Sequence, residues 1–183
     1  MDKKMRFHVL QELIENNNFK KYVEIGLGKG LTTGHLMRNI KDPEFRMWGV
    51  DPFQIYPELR ENNASSLRFM RTMHRNEKLV ADQVNGDTRF TLIKKMSDDA
   101  ALDFEHESID MVFIDGNHSY EYVLRDMENW TPLVRKGGIV AGHDYVTDPK
   151  SKYYDVQKAV HEFGDKHGYE IKTAPNHVWY FHK

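Results

Sequence analysis

Apolar positions fall into short runs separated by polar turns, and the runs alternate between helical and strand spacing. Phe7, Leu10, Leu13 and Ile14 recur at helical spacing before Asn16, Asn17 and Asn18, which suit a turn, so a helix is expected within residues 1–18. YVEI, Tyr22 to Ile25, reads as a strand running into Gly26-Leu27-Gly28-Lys29-Gly30. Leu36, Met37 and Ile40 then mark the inner face of a helix that Thr32 or Thr33 can cap. Arg46 to Val50 is a second strand, ending at Asp51. Pro52, Pro57 and the polar run to Asn63 read as an irregular insertion over 52–64, followed by a long helix from Ser65 to about Val84 with a core stripe at Leu67, Met70 and Met73. Strands follow at Phe90 to Ile93, Ile109 to Ile114 and Gly138 to Ala141, with helices over Asp98 to Phe104 and Tyr120 to Trp130. Val156, Ala159, Val160 and Phe163 line one face of a last helix that Gly168 ends, and Tyr169 to Thr173 with Val178 to Phe181 flank Pro175-Asn176 as a hairpin.

Alternation of strands and helices predicts one α/β domain over 1–183, a Rossmann-like, doubly wound and mostly parallel sheet with helices on both faces. Ligands of such sheets sit beyond the carboxyl ends of the strands, near the switch in strand order. Five polar signals fall on that edge. The glycine loop follows the first strand, Asp51 the second, Lys95-Met96-Ser97 the third, Asp115 the fourth and His143-Asp144 the fifth.

Composition narrows the chemistry. No cysteine is present, which excludes disulfides, thiolate metal sites and cysteine nucleophiles, so any metal needs oxygen or imidazole ligands. A net charge of -2 gives no basic footprint for nucleic acid or an anionic membrane. The basic, aromatic run LRFMRTMHRNEK reads as a solvated helix with a core stripe rather than an RNA-binding face. No apolar run approaches the ~20 residues of a membrane helix and the polar start lacks the apolar core of a signal peptide, so a soluble, cytoplasmic chain is expected. HEFGDKHGY has no zincin spacing.

Glycines let the loop after the first strand turn tightly, and free amides at the start of the next helix favour a negative group. Asp51 lies 21 residues after Gly30, which suits a carboxylate bonding ribose hydroxyls. A dinucleotide fingerprint wants a further glycine at position 31, where Leu31 stands. Glu24-x-Gly26-x-Gly28-x-Gly30 with Asp51 resembles the cofactor site of class I S-adenosylmethionine-dependent methyltransferases. The run from Ile109 to Tyr145, IDMVFIDGNHSYEYVLRDMENWTPLVRKGGIVAGHDY, is similar to the small-molecule O-methyltransferases that include the macrolide-sugar enzymes.

That resemblance implies a seven-stranded sheet in the order 3-2-1-4-5-7-6 and O-methylation of a small-molecule hydroxyl, sugar-like or phenolic. It places the methionine half of S-adenosyl-L-methionine on Gly26, Gly28 and Gly30, with Glu24 supporting the loop and its charge available to the methionine ammonium. Asp51 would bind the ribose, and Met96 and Ser97 would lie along adenine. In metal-dependent members the positions of Asp115, His143 and Asp144 hold a divalent metal and that of His118 is a general base, with Asn117 able to orient either group. His143 stands where a carboxylate is more usual, which moves the preference from Mg²⁺ toward Mn²⁺ or another transition metal, and leaves a metal-free site open. Asp115, His118 and Asp144 also have structural readings as turn and cap residues. Phe53 and Tyr56 in the insertion are candidates for acceptor contacts or a lid. An NAD(P)-dependent oxidoreductase and a non-catalytic S-adenosylmethionine-binding protein are the alternatives. The expected partner is a small-molecule acceptor, with no nucleic acid and no membrane; packing of the N-terminal helix on a second subunit stays open.

Overall fold

Strands whose side chains are buried on both faces need helices on both faces, and that requirement organises this chain. The computed structural model describes residues 4–54 and 63–183, the side chains of 63–70 excepted. Strands β1 (Lys21–Ile25), β2 (Arg46–Val50), β3 (Phe90–Ile93), β4 (Ile109–Ile114), β5 (Val134–Gly142), β6 (Lys172–Ala174) and β7 (Val178–His182) form one sheet. Its order is β3-β2-β1-β4-β5-β7-β6, as the sequence resemblance implied. The first five strands pair in parallel and β7 runs antiparallel to both of its neighbours.

Alternate residues of each central strand feed opposite layers. Val23, Ile25, Val112 and Ile114 pack with Val123, Met127 and Trp130 of α5 (Tyr120–Trp130) and Val160 and Phe163 of α6 (Tyr154–His167). Tyr22, Met111 and Phe113 face the other way, onto Leu10 and Ile14 of α1 (Arg6–Asn16) and Leu36 and Met37 of α2 (Leu31–Asn39). A smaller cluster of Leu27, Phe53 and Val80, with Met73 against it, ties the glycine loop to α3 (Asn63–Val84). The remaining short helix is α4 (Ser97–Ala101). No helix among the described residues is long and apolar enough to cross a membrane.

Several boundaries differ from expectation. Gly30, in the left-handed region, occupies the N-cap of α2, so Thr32 and Thr33 are buried inside its first turn rather than capping it. The strand expected from Gly138 begins at Val134, because extra residues of β5 between Val134 and Ile139 bulge out, letting Val134 pair with Ile109 and Ile139 with Met111. The helix after β3 is one residue earlier at its start and ends at Ala101. The hairpin is tighter than expected: Ala174 pairs with Val178 across a turn in which Asn176 and His177 take positive φ. Residues 55–62 of the expected insertion, with Tyr56 and Pro57, lie outside the described residues, as do the side chains of Leu67 and Met70.

Candidate active site

The glycine loop is held by two carboxyl groups that do different work. Asp51, at the end of β2, accepts the amides of Leu27 at 3.0 Å and Gly28 at 3.4 Å on one oxygen, and that of Phe53 at 2.8 Å on the other. Burial raises its pKa against the pull of those amides. A carboxylate has roughly four lone-pair positions, so ribose hydroxyls can still be accepted. Glu24 lies inside the sheet and takes the Thr33 hydroxyl at 2.7 Å, which locks the start of α2 to β1. Burial, only partly offset by that bond, pushes its carboxyl up to about 8. Glu24 thus ties β1 to the first turn of the helix that follows the glycine loop, and burial favours its neutral form as long as no cation lies beside it.

Gly26 has φ +83°, and a Cβ there would stand 2.2 Å from the carbonyl oxygen of Asp115, so the loop after β1 lies directly on the end of β4. Beside this contact a cleft opens, lined by Gly26, Asp51, Met96, Ser97, Gly116 and Asn117 among others. Four of the expected cofactor-binding residues thus share one concavity. Asp126 of α5 also reaches it, a buried acid whose desolvation, opposed by a bond to Ser97, raises its pKa to about 7. Ser97 Oγ in turn accepts the indole N–H of Trp130 at 2.8 Å.

Parallel pairing brings the ends of β4 and β5 together: Ile114 is in register with Gly142, and the His143 amide bonds the Ile114 carbonyl. Trp179, lying against Gly142, donates its indole N–H to the His143 carbonyl at 3.2 Å. At this edge Asp115, His118, His143 and Asp144 converge. His143 Nδ1 is 3.1 Å from Asp144 Oδ1 and 3.5 Å from Asp115 Oδ1. His118 Nε2 is 2.8 Å from Asp144 Oδ2 and 3.6 Å from Asp115 Oδ1. Burial lowers the pKa of both imidazoles, yet the two carboxylates outweigh it and push each to about 9. In return, and against their own burial, the imidazoles hold both carboxyls below the usual range.

The donor set fits a divalent cation. One ligand atom each from Asp115, His118 and Asp144 lie within 4.8 Å of one another. The Nε2 atoms of His118 and His143 are buried without a hydrogen-bond partner among the described residues, the first because Asp144 Oδ2 is out of line for one despite its closeness. His118, expected as the base, thus belongs to a group that could hold an ion, and His143, expected as a ligand, stands equally near both carboxylates.

Some site residues were not anticipated. Arg6, from α1, comes within 3.5 Å of Asp115 Oδ2. Tyr153 meets His118 in a T-shaped ring contact, 5.1 Å between centroids, and Lys152 Nζ lies 4.6 Å from the Tyr153 centroid. Ser119 stands at the N-cap of α5 without using its side chain, and Asn117 Oδ1 accepts the Ser119 amide instead. For Asp126 a signal existed: it shares the buried face of α5 with Val123, Met127 and Trp130, where an acid breaks the apolar stripe. For Arg6 and Tyr153 no local pattern pointed to the site.

Strand order and cleft define a Rossmann-like protein of the class I methyltransferase architecture. The family model described as a methyltransferase domain matches residues 23–145, and the chain belongs to this methyltransferase family. It is 30% identical over 149 residues to an uncharacterized protein of Acanthamoeba polyphaga mimivirus, covering 77% of this chain and 59% of that protein. A shorter match, 34% over 77 residues, is to a Sinorhizobium fredii protein, covering 42% of this chain and 8% of that one. The chain therefore spans less than two thirds of the length of these relatives. Among solved structures it is similar to one provisionally assigned as a caffeoyl-CoA O-methyltransferase from Staphylococcus aureus, with 17% identity, a TM-score of 0.71, and coverage of 100% of this chain and 85% of that one. It is also similar to the O-methyltransferase NovP, with 20% identity, a TM-score of 0.66, and coverage of 97% and 79%. An O-methyltransferase from Bacillus cereus in complex with SAH gives 14% identity, 0.66, and coverage of 97% and 80%. At these identities the likeness shows the fold.

Proposed function

We propose that the chain transfers a methyl group from S-adenosylmethionine to a hydroxyl of a small molecule, sugar-like or phenolic. The observation that supports this best is the adjacency of two unlike sites on one sheet edge. The cleft beside Gly26 adjoins, through Asp115 and Gly116, a cluster of carboxylates and imidazoles suited to a reacting oxygen. The cofactor supplies a methyl group already activated on sulfur, so the chain's task is to bind, orient and take up a proton.

The acceptor hydroxyl gains the methyl, loses its proton and leaves S-adenosylhomocysteine behind. One imidazole, His118 in the sequence reading, receives that proton. It must first be neutral, and in the metal-free protein the carboxylates keep it charged at pH 7. Asp115 and Asp144 would hold a divalent cation with one imidazole completing the set, since a nitrogen bound to a cation cannot also take a proton. Such an ion would lower the pKa of a nearby hydroxyl and oppose the field that keeps the free imidazole protonated; nitrogen in the set favours Mn²⁺ or another transition metal over Mg²⁺. Tyr153 offers an aromatic wall beside His118 for the acceptor ring.

The test is methyl transfer from labelled S-adenosylmethionine to a panel of phenols, sugars and carboxylic acids, on chelated protein and with Mn²⁺ or Mg²⁺ restored. Transfer to hydroxyl acceptors is expected. Unchanged activity in both Asp115→Ala and Asp144→Ala would overturn the assigned roles of the cluster.

A further inference from the structure

Arg6 lies outside the matched span of 23–145, on the first turn of α1, yet three distant elements fix it. Its backbone amide donates to Asn176 Oδ1 in the β6–β7 turn at 2.9 Å. Its Nε donates to Thr32 Oγ1, in the first turn of α2, at 3.1 Å and stands 3.5 Å from Asp115 Oδ2. The guanidinium is thereby held over the junction between the glycine loop and the end of β4. Nε carries the guanidinium's hydrogen bond; neither terminal nitrogen donates one to a partner among the described residues. With its side chain 26% exposed, the free fork is partly withdrawn from water.

We infer that Arg6 binds the carboxylate of the methionine half of S-adenosylmethionine and its product, an inference that rests on the cofactor reading above. With the adenosine half in the cleft between Asp51 and Ser97, an amino-acid half continuing past Gly26 would run toward the first turn of α2, to which Arg6 bonds through Thr32. A planar fork of unpaired donors matches a carboxylate bidentately. The first amides of α2, which has no side-chain cap, favour the same sign of charge. Arg6 and Asp115 Oδ2 also set opposite charges side by side, the complement of a zwitterion's carboxylate and ammonium.

A purely structural role as counter-ion to Asp115 predicts something different, and the two separate by choice of ligand. S-adenosylhomocysteine carries the amino acid, whereas 5′-methylthioadenosine keeps the nucleoside and lacks it. Calorimetry of both ligands on wild type, Arg6→Gln and Arg6→Lys, with thermal melts of each protein, makes the comparison. Arg6→Gln is expected to weaken S-adenosylhomocysteine by about 10- to 100-fold and to leave 5′-methylthioadenosine within about twofold, with Arg6→Lys between. Equal loss for both ligands, or loss for neither, overturns the inference while the cofactor reading stands. Wild-type protein that binds neither ligand overturns the cofactor reading and the inference with it.

Discussion

The two halves of the site are built on opposite principles. Around the glycine loop the carboxyl and hydroxyl side chains already have partners: Asp51 takes three amides, Glu24 takes Thr33, and Ser97 takes Trp130. Across Gly26, at the ends of β4 and β5, two carboxylates face two imidazoles at distances from 2.8 to 3.6 Å, and two buried ring nitrogens lack hydrogen-bond partners among the described residues. The first half is a rigid seat whose shape is set before a ligand arrives. The second stores charge in a form that an ion, a proton or a substrate oxygen can rearrange. On the proposed function, positioning and proton handling would fall to separate strands that meet at one glycine.

This contrast predicts that changes in the second half damage turnover and changes in the first damage folding or binding. Asp144→Asn should have the largest effect, lowering methyl transfer by about 10³-fold, within the range for losing acid–base or metal assistance, while S-adenosylhomocysteine affinity stays within a few-fold. Steady-state rates beside calorimetry check it; an equal fall in affinity would erase the division. Gly26→Ala comes next. It forces a Cβ at 2.2 Å from the Asp115 carbonyl oxygen in a left-handed conformation, and should cost about 3 kcal/mol in a denaturant titration. Gly28→Ala, with nothing within 4 Å of its Cβ but φ +52°, should cost only about 1 kcal/mol.

The smallest effect is on pH. His118 and His143 rise from 6.5 to about 9 on folding, so their stabilisation is complete below about pH 6.5 and is lost as pH rises through 9. Glu24, raised from 4.5 to about 8, acts with the same sign in a lower window. Asp115 and Asp144 act oppositely, giving stability above the ordinary carboxylate range and losing it in acid. Metal-free protein should melt several degrees lower at pH 9.5 than at pH 6.5. Glu24→Gln should flatten the part of that slope below pH 8, and a rise in melting temperature with pH would contradict the assignment.

Much of this arrangement was legible in the sequence where spacing is local. The glycine loop and Asp51 follow directly on a strand and Ser97 comes shortly after one, and the rule for parallel sheets puts strand ends on one edge. Asp115 with His143-Asp144 was legible for the same reason, once β4 and β5 were taken as neighbours. What the sequence hid depends on approach from elsewhere. Arg6 reaches Asp115 from 109 positions away because α1 packs over β1 and the hairpin turn holds its amide. Thr32 and Thr33 looked like caps by residue type, but Gly30 alone tolerates the left-handed geometry there, which frees Thr33 to bond Glu24. The choice between His118 and His143 as ligand turns on side-chain directions that spacing does not carry.

The most direct test of the central claim, that one edge of this sheet seats S-adenosylmethionine beside a cation-holding cluster, is calorimetry of S-adenosylhomocysteine on chelated protein and again with Mn²⁺, using NAD as the control. The account predicts micromolar binding of S-adenosylhomocysteine, heat from Mn²⁺ alone that disappears in Asp144→Asn, and none from NAD. Binding of NAD, or no binding of S-adenosylhomocysteine under either condition, would contradict it.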